Sequence, residues 1–158
     1  MAAVVAQELT ELSCVMIPLN GTQLLLPNVS IAEILPWRRV KALANGPQWC
    51  LGVLSWRGQA IPVVRFECLN QSEDAVRKAG RCMIVMNRAR SIDGIAFYAI
   101  AAEGLPRMVQ LTADDISNEP SKLRPAESVC VRVGTESAVI PNLGFIEDEV
   151  AKLMNHST

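Results

Sequence analysis

Residues 52–66 read GVLSWRGQAIPVVRF, two apolar runs joined at Trp56-Arg57-Gly58-Gln59. β-Branched and aliphatic runs on either side of a short break containing glycine form the pattern of a β-hairpin. Arginine is an uncommon choice for its tip, because Asn-Gly or Asp-Gly serves a plain turn. With Gly58 supplying a positive φ, the pattern predicts a type I turn and bulge over Trp56-Arg57, since arginine is a poor occupant of the left-handed region. Such a tip directs Arg57 outward from a rigid strand pair. Two readings of Arg57 stand at this point. It is a solvated turn charge, or it is a guanidinium held for a carboxylate, either Glu33 of the same chain or one on a partner.

Working outward from the hairpin, short strands recur. LSCVMIPL (residues 12–19) reads as a strand, and Asn20-Gly21 is a strong hairpin signal. VSIAEIL (residues 29–35) follows, and then a connection with turn chemistry at Asn45-Gly46-Pro47. Beyond the hairpin, residues 70–80 are polar, with room for one or two helical turns. RCMIVMN (residues 81–87), a turn near Ser91–Gly94 and IAFYAIAAEGLP come next. A polar connection then leads to a second hairpin around residues 134–137. Residues 145–155 close the chain as an amphipathic helix, with Ile146, Val150 and Leu153 at helical spacing. Many short strands at close intervals predict an all-β fold of small barrels.

An internal echo refines that expectation. AEILP at residues 32–36 is matched by AEGLP at 102–106, and the AIP of the hairpin (60–62) by VIP at 139–141. The same order of strands surrounds both, which implies a duplication and two similar barrels packed together.

Composition narrows the function. Half of the 158 residues are apolar and only 4% aromatic, and the net charge is −1. That balance gives no field for general nucleic-acid or membrane-surface binding. No apolar window is long enough to span a bilayer, and the start of the chain lacks the marks of a secretory signal. The five cysteines are an odd number without metal-ligand spacing, and they read as reduced buried thiols of a cytosolic protein. The one histidine, His156, lies in a polar tail, so no Ser-His-Asp or Cys-His constellation is available. Glycine-rich phosphate loops are absent. Asp114-Asp115 and Glu147-Asp148-Glu149 read as solvated or helix-start acids. WRRVK (residues 37–41) reads as a solvated connection rather than a base-stacking surface. Cys50 and Cys68, flanking the hairpin, are the positions a thiol-dependent activity would use.

GVLSWRGQAIPVVRF, preceded by NGPQWCL and further upstream by SIAEIL, resembles the CheW-like domain family. The family's motif is a strand ending G-x-x-N-L-R-G, three residues, then P-V-x-D-L. It carries a Glu-Ile on an earlier strand and a proline five residues before the first glycine. Glu33-Ile34, Pro47, Gly52, Arg57, Gly58, Pro62 and Val63 match in register. Ser55, Trp56, Arg65 and Phe66 depart from it, and Tyr98 stands where the family often has an acid. These departures look like those of the ChpC-type adaptors of type IV pilus and twitching systems.

The resemblance implies an all-β fold of two SH3-like five-stranded barrels with a C-terminal helix. The expected organisation is a flexible arm over residues 1–11 and a single domain over 12–155, its intertwined sub-barrels spanning roughly 20–70 and 80–145. It also implies a cytoplasmic adaptor without catalysis or cofactor. Its partners would be a chemoreceptor's cytoplasmic tip and a CheA-type histidine kinase. Arg57, Glu33, Trp56, Gly58, Val53 and Trp37 are the expected protein-binding residues, with Trp56 and Trp37 as exposed anchors. Glu33 keeps two readings, a strand-end charge or the group that orients Arg57. A small barrel serving a different protein or nucleic-acid partner is the alternative.

Overall fold

The apolar runs become strands buried on both faces, which is why they read as continuous rather than alternating. The computed structural model describes residues 11–71, 80–87 and 97–156. The N-terminal arm, most of the polar 70–80 segment and the turn near Ser91–Gly94 lie outside the described residues. Among the described residues eleven strands are formed: β1 (Leu12–Pro18), β2 (Gln23–Pro27), β3 (Ile31–Pro36), β4 (Cys50–Trp56), β5 (Gln59–Val64), β6 (Cys82–Asn87), β7 (Phe97–Ala102), β8 (Arg107–Leu111), β9 (Ile116–Asn118), β10 (Glu127–Val133) and β11 (Glu136–Pro141). A one-turn helix, α1 (Phe66–Leu69), follows β5, and α2 (Leu143–His156) closes the domain.

The strands form two sheets in the orders β3-β6-β7-β5-β4 and β8-β1-β2-β11-β10-β9. Set side by side, the first five positions match in pairing sense: antiparallel, antiparallel, parallel, antiparallel. The chain is therefore a duplication of β1–β5 in β6–β11, in which each half gives its leading hairpin to the other half's sheet. Strands β1 and β2 sit among β8–β11, and β6 and β7 sit among β3–β5. This corrects the sub-barrel limits of 20–70 and 80–145, because one sheet takes residues from 31 to 102 and the other takes both ends of the chain. The short β9 makes the second sheet six-stranded. The AEILP and AEGLP echo does not mark equivalent places: the first lies in β3, whereas the second runs from the end of β7 into the connection before β8.

Three apolar clusters result. Leu35, Leu54, Trp56, Ile61, Val63, Met83 and Val85 fill the first barrel. Cys14, Met16, Leu25, Leu111, Val131 and Ala138 fill the second. The opposite faces of β1 and β6 meet between the barrels, where Val15, Ile17, Ile84, Met86, Tyr98 and Ile100 pack with Ile146 and Val150 of α2. Glu147, expected in solvent, is fully buried on that helix. No helix among the described residues is long and apolar enough to cross a membrane.

Tyr98 is the chain's single tyrosine. Its ring is buried in the shared core and its hydroxyl has no hydrogen-bond partner among the described residues. Burial, reinforced by the nearby Glu147 charge, pushes its pKa far above the ordinary tyrosine value. A raised folded-state pKa means that the folded state resists ionisation. Stability from this group is intact below about pH 10, where a free tyrosine ionises, and is lost as pH rises further. Tyrosinate absorbance at 295 nm should therefore rise only together with alkaline unfolding followed by circular dichroism. Ionisation in a still-folded chain would contradict this.

Candidate functional site

The hairpin tip is tighter than the sequence suggested. Trp56 pairs directly with Gln59, leaving a two-residue turn of Arg57 and Gly58 with φ of 47° and 78°. Positive φ at both central residues is the signature of a type I′ turn, whose twist matches that of the strands. The expected type I turn with bulge is thus replaced by one that places arginine itself in the left-handed region. A Cβ added at Gly58 would meet open space, so the requirement for glycine there is conformational and not steric.

Glu33 organises the tip. It lies on β3, at one edge of the five-stranded sheet, while Trp56 ends β4 at the other edge. Trp56 Nε1 donates to Glu33 Oε1 at 2.9 Å, and Arg57 Nη2 donates to the same oxygen at 3.2 Å. One carboxylate oxygen therefore bridges the two edges and helps to close the barrel. Further along β4, the backbone of Lys41 pairs with Val53 through two bonds of 2.9 Å, which covers that edge as well. The Arg57 guanidinium also lies over the Trp56 ring, 4.6 Å from its centre.

The six expected binding residues divide between surface and core. Arg57 and Glu33 are accessible, with side chains 67% and 38% exposed. Gly58 is exposed and Val53 half-buried on the outer face of β4. Trp56 is not an exposed anchor: it is 3% exposed and packs edge-on against Phe97 at 4.8 Å. Its indole body completes the barrel core while its N–H holds Glu33, a division that suits an aromatic residue with one polar atom. Trp37 is likewise half-buried against the same cluster, with its ring beneath Gly80. Both corrections have one cause. The barrel interior needs large side chains where the β3 and β4 edges converge, and few other aromatics are available.

Arg65, where the motif carries an acid, is buried and pairs with Glu103 at 3.3 Å. Glu103 Oε1 also accepts from Asn20 Nδ2 at 3.3 Å, and the Asn20 backbone N–H donates to the buried Glu67 Oε2 at 3.0 Å. This polar chain ties the β1–β2 turn of one barrel to the end of β5 in the other. The sequence marked Glu103 only as an echo of Glu33, and its partnership with Arg65 needed the fold.

No disulfide joins any of the five cysteines. Burial pushes the thiols of Cys14, Cys50, Cys82 and Cys130 up, away from the thiolate form. Among the described residues, no group of three metal-ligating side chains gathers.

Two barrels exchanging hairpins around a common core, with a closing helix, define a double-barrel module. Residues 13–148 match the CheW-like domain family, and the chain belongs to that family. Among solved structures, the scaffolding protein TtCheW from Thermoanaerobacter tengcongensis is similar in fold, with a TM-score of 0.69. The match covers 84% of this chain and 89% of that one, at 12% identity.

Proposed function

We propose that this protein is a non-catalytic cytoplasmic adaptor. It couples the tip of a chemoreceptor to a CheA-type histidine kinase at arrays on the inner face of the membrane. Family membership supports the class, and the conformation of Arg57 carries the proposal. A non-glycine residue in the left-handed region costs roughly 1–2 kcal/mol. The contacts Arg57 makes at home offset only part of this: an ion pair this exposed is worth about 0–1 kcal/mol and the cation–π contact about 0.5–1 kcal/mol. Asparagine would suit the turn better. A strained arginine at the tip of a rigid hairpin therefore supports a role directed outward, with Glu33 fixing its orientation and Trp56 fixing Glu33. The departures at Ser55, Trp56 and Arg65 support the finer assignment to adaptors controlling type IV pilus twitching.

Arg57→Asn tests this reading. Relief of backbone strain and loss of the cation–π contact nearly cancel, so stability should change by less than about 1 kcal/mol. Affinity for a receptor-tip fragment should fall about tenfold or more, as for an interface arginine. Unchanged affinity in calorimetric titration would remove the tip from the interface.

A further inference from the structure

A half-open cavity of about 230 Å³, the volume of about eight waters, lies between α1, the β1–β2 turn and the connection from β9 to β10. Its lining grades from buried to exposed, which gives it a floor and a rim. Phe66, Glu67, Asn70 and Val139 are buried at the floor, whereas Lys122 and Arg124 are exposed at the rim. The two acids between them are engaged within the chain. Glu119 Oε2 accepts from Ser137 Oγ at 2.7 Å, and Glu127 Oε2 accepts from Asn70 Nδ2 at 2.8 Å.

Glu67 is less well satisfied. It is 1% exposed, and its Oε2 accepts from the Asn20 backbone N–H at 3.0 Å. Its Oε1 is buried and has no hydrogen-bond partner among the described residues, and no cation there pairs with it. A carboxyl group held out of water is costly until a donor or a cation meets it. Arg65, the buried cation of the same polar chain, pairs with Glu103 instead. The rim has the opposite need. Arg124 Nη1 donates to the Gln71 carbonyl at 3.2 Å, and neither Arg124 nor Lys122 forms an ion pair among the described residues. The cavity thus lacks a cation at its floor and an anion at its rim, with the apolar Phe66 and Val139 beside the floor.

We infer that this cavity binds a small aliphatic α-amino acid. Its ammonium lies toward Glu67, its carboxylate toward Lys122 and Arg124, and its side chain against Phe66 and Val139. The volume suits a molecule of about eight or nine non-hydrogen atoms, and a few placed polar groups on an apolar wall are what such sites use. A metal ion fits less well, because no three ligating side chains converge among the described residues. This site is independent of the adaptor reading, since it uses none of the hairpin-tip residues.

The test titrates the full chain with L-leucine, by calorimetry and by thermal unfolding, which a ligand of the folded state raises. Two analogues separate the charges: 4-methylpentanoate lacks the ammonium and isoamylamine lacks the carboxylate. Saturable L-leucine binding is expected, with 4-methylpentanoate at least about tenfold weaker, as for a lost hydrogen bond to a charged group. Isoamylamine should bind about threefold more weakly than L-leucine, because the rim charges are exposed. Glu67→Gln keeps an oxygen for the Asn20 N–H and should weaken L-leucine about tenfold or more. Lys122→Gln, on the surface, should weaken L-leucine about threefold and leave isoamylamine unchanged. Circular dichroism confirms that each variant is folded. Absence of saturable L-leucine binding up to about 10 mM overturns the site. Binding that Glu67→Gln does not alter, or 4-methylpentanoate bound as tightly as L-leucine, overturns the role of Glu67. Isoamylamine bound as tightly as L-leucine, with Lys122→Gln without effect on either, overturns the amino-acid assignment in favour of a simple amine.

Discussion

Alanine at position 52 is expected to unfold the barrel that carries the hairpin. Gly52 has φ of 143°, a conformation that residues with a side chain rarely adopt. A Cβ there would lie 2.7 Å from the Lys41 carbonyl carbon and closer still to its oxygen. Neither obstacle can yield, because the Lys41 backbone is fixed by its two bonds to Val53. Backbone strain of this kind costs about 1–3 kcal/mol by itself. With the clash and the lost bridge, the total should reach about 4 kcal/mol or more, a large share of a typical domain's stability. Gly58→Ala, at a positive φ but in open space, should cost only about 1–2 kcal/mol. Urea denaturation of both variants tests the contrast. A Gly52→Ala midpoint close to that of the parent would show that the Lys41 segment does not close the barrel.

Removing the buried arginine is expected to be nearly as damaging. Arg65 is 2% exposed and Glu103 15%, so each is held away from water by the other. Truncating one member of such a pair strands the second charge and typically costs about 3–5 kcal/mol. Arg65→Ala should therefore destabilise by about that amount. Arg65→Ala combined with Glu103→Gln should cost less than the sum of the two single changes, with a coupling of about 0.5–3 kcal/mol. Strict additivity would mean that the pair is incidental. The exposed Arg107–Glu136 pair, at 2.7 Å, should show a far weaker coupling than the buried pair despite its shorter distance, because water screens it.

The all-β class, the β4–β5 hairpin and the closing helix were legible because each rests on local chemistry. Turn glycines, apolar runs and helical spacing act within a few residues. The duplication was also legible, although through the wrong residues: the echoing pentamers drew attention to two halves whose real correspondence is β3 with β8. Exchange of the leading hairpins was not legible, because each strand run is apolar on both faces and will pair with any suitable neighbour. Arg57 and Glu33 could be read as a pair from the motif. The turn type could not, since only the direct Trp56–Gln59 pairing forces both intervening residues to positive φ. Trp56 and Trp37 were misread for a related reason. Proximity to an exposed tip in sequence says nothing about which face of the strand a side chain takes, and Trp56 follows Leu54 into the barrel. Arg65 read only as a departure from the motif until Glu103, thirty-eight residues away, supplied its counter-charge.

The most direct test of the adaptor reading is simultaneous binding. The purified chain would be saturated with the regulatory domain of a CheA-type kinase and then titrated with a receptor-tip fragment. Mass would be followed by analytical ultracentrifugation and affinity by calorimetry. A three-component complex in which the kinase domain leaves affinity for the receptor tip unchanged is the predicted result. Displacement of one partner by the other, or failure of either to bind, would contradict a bridging role.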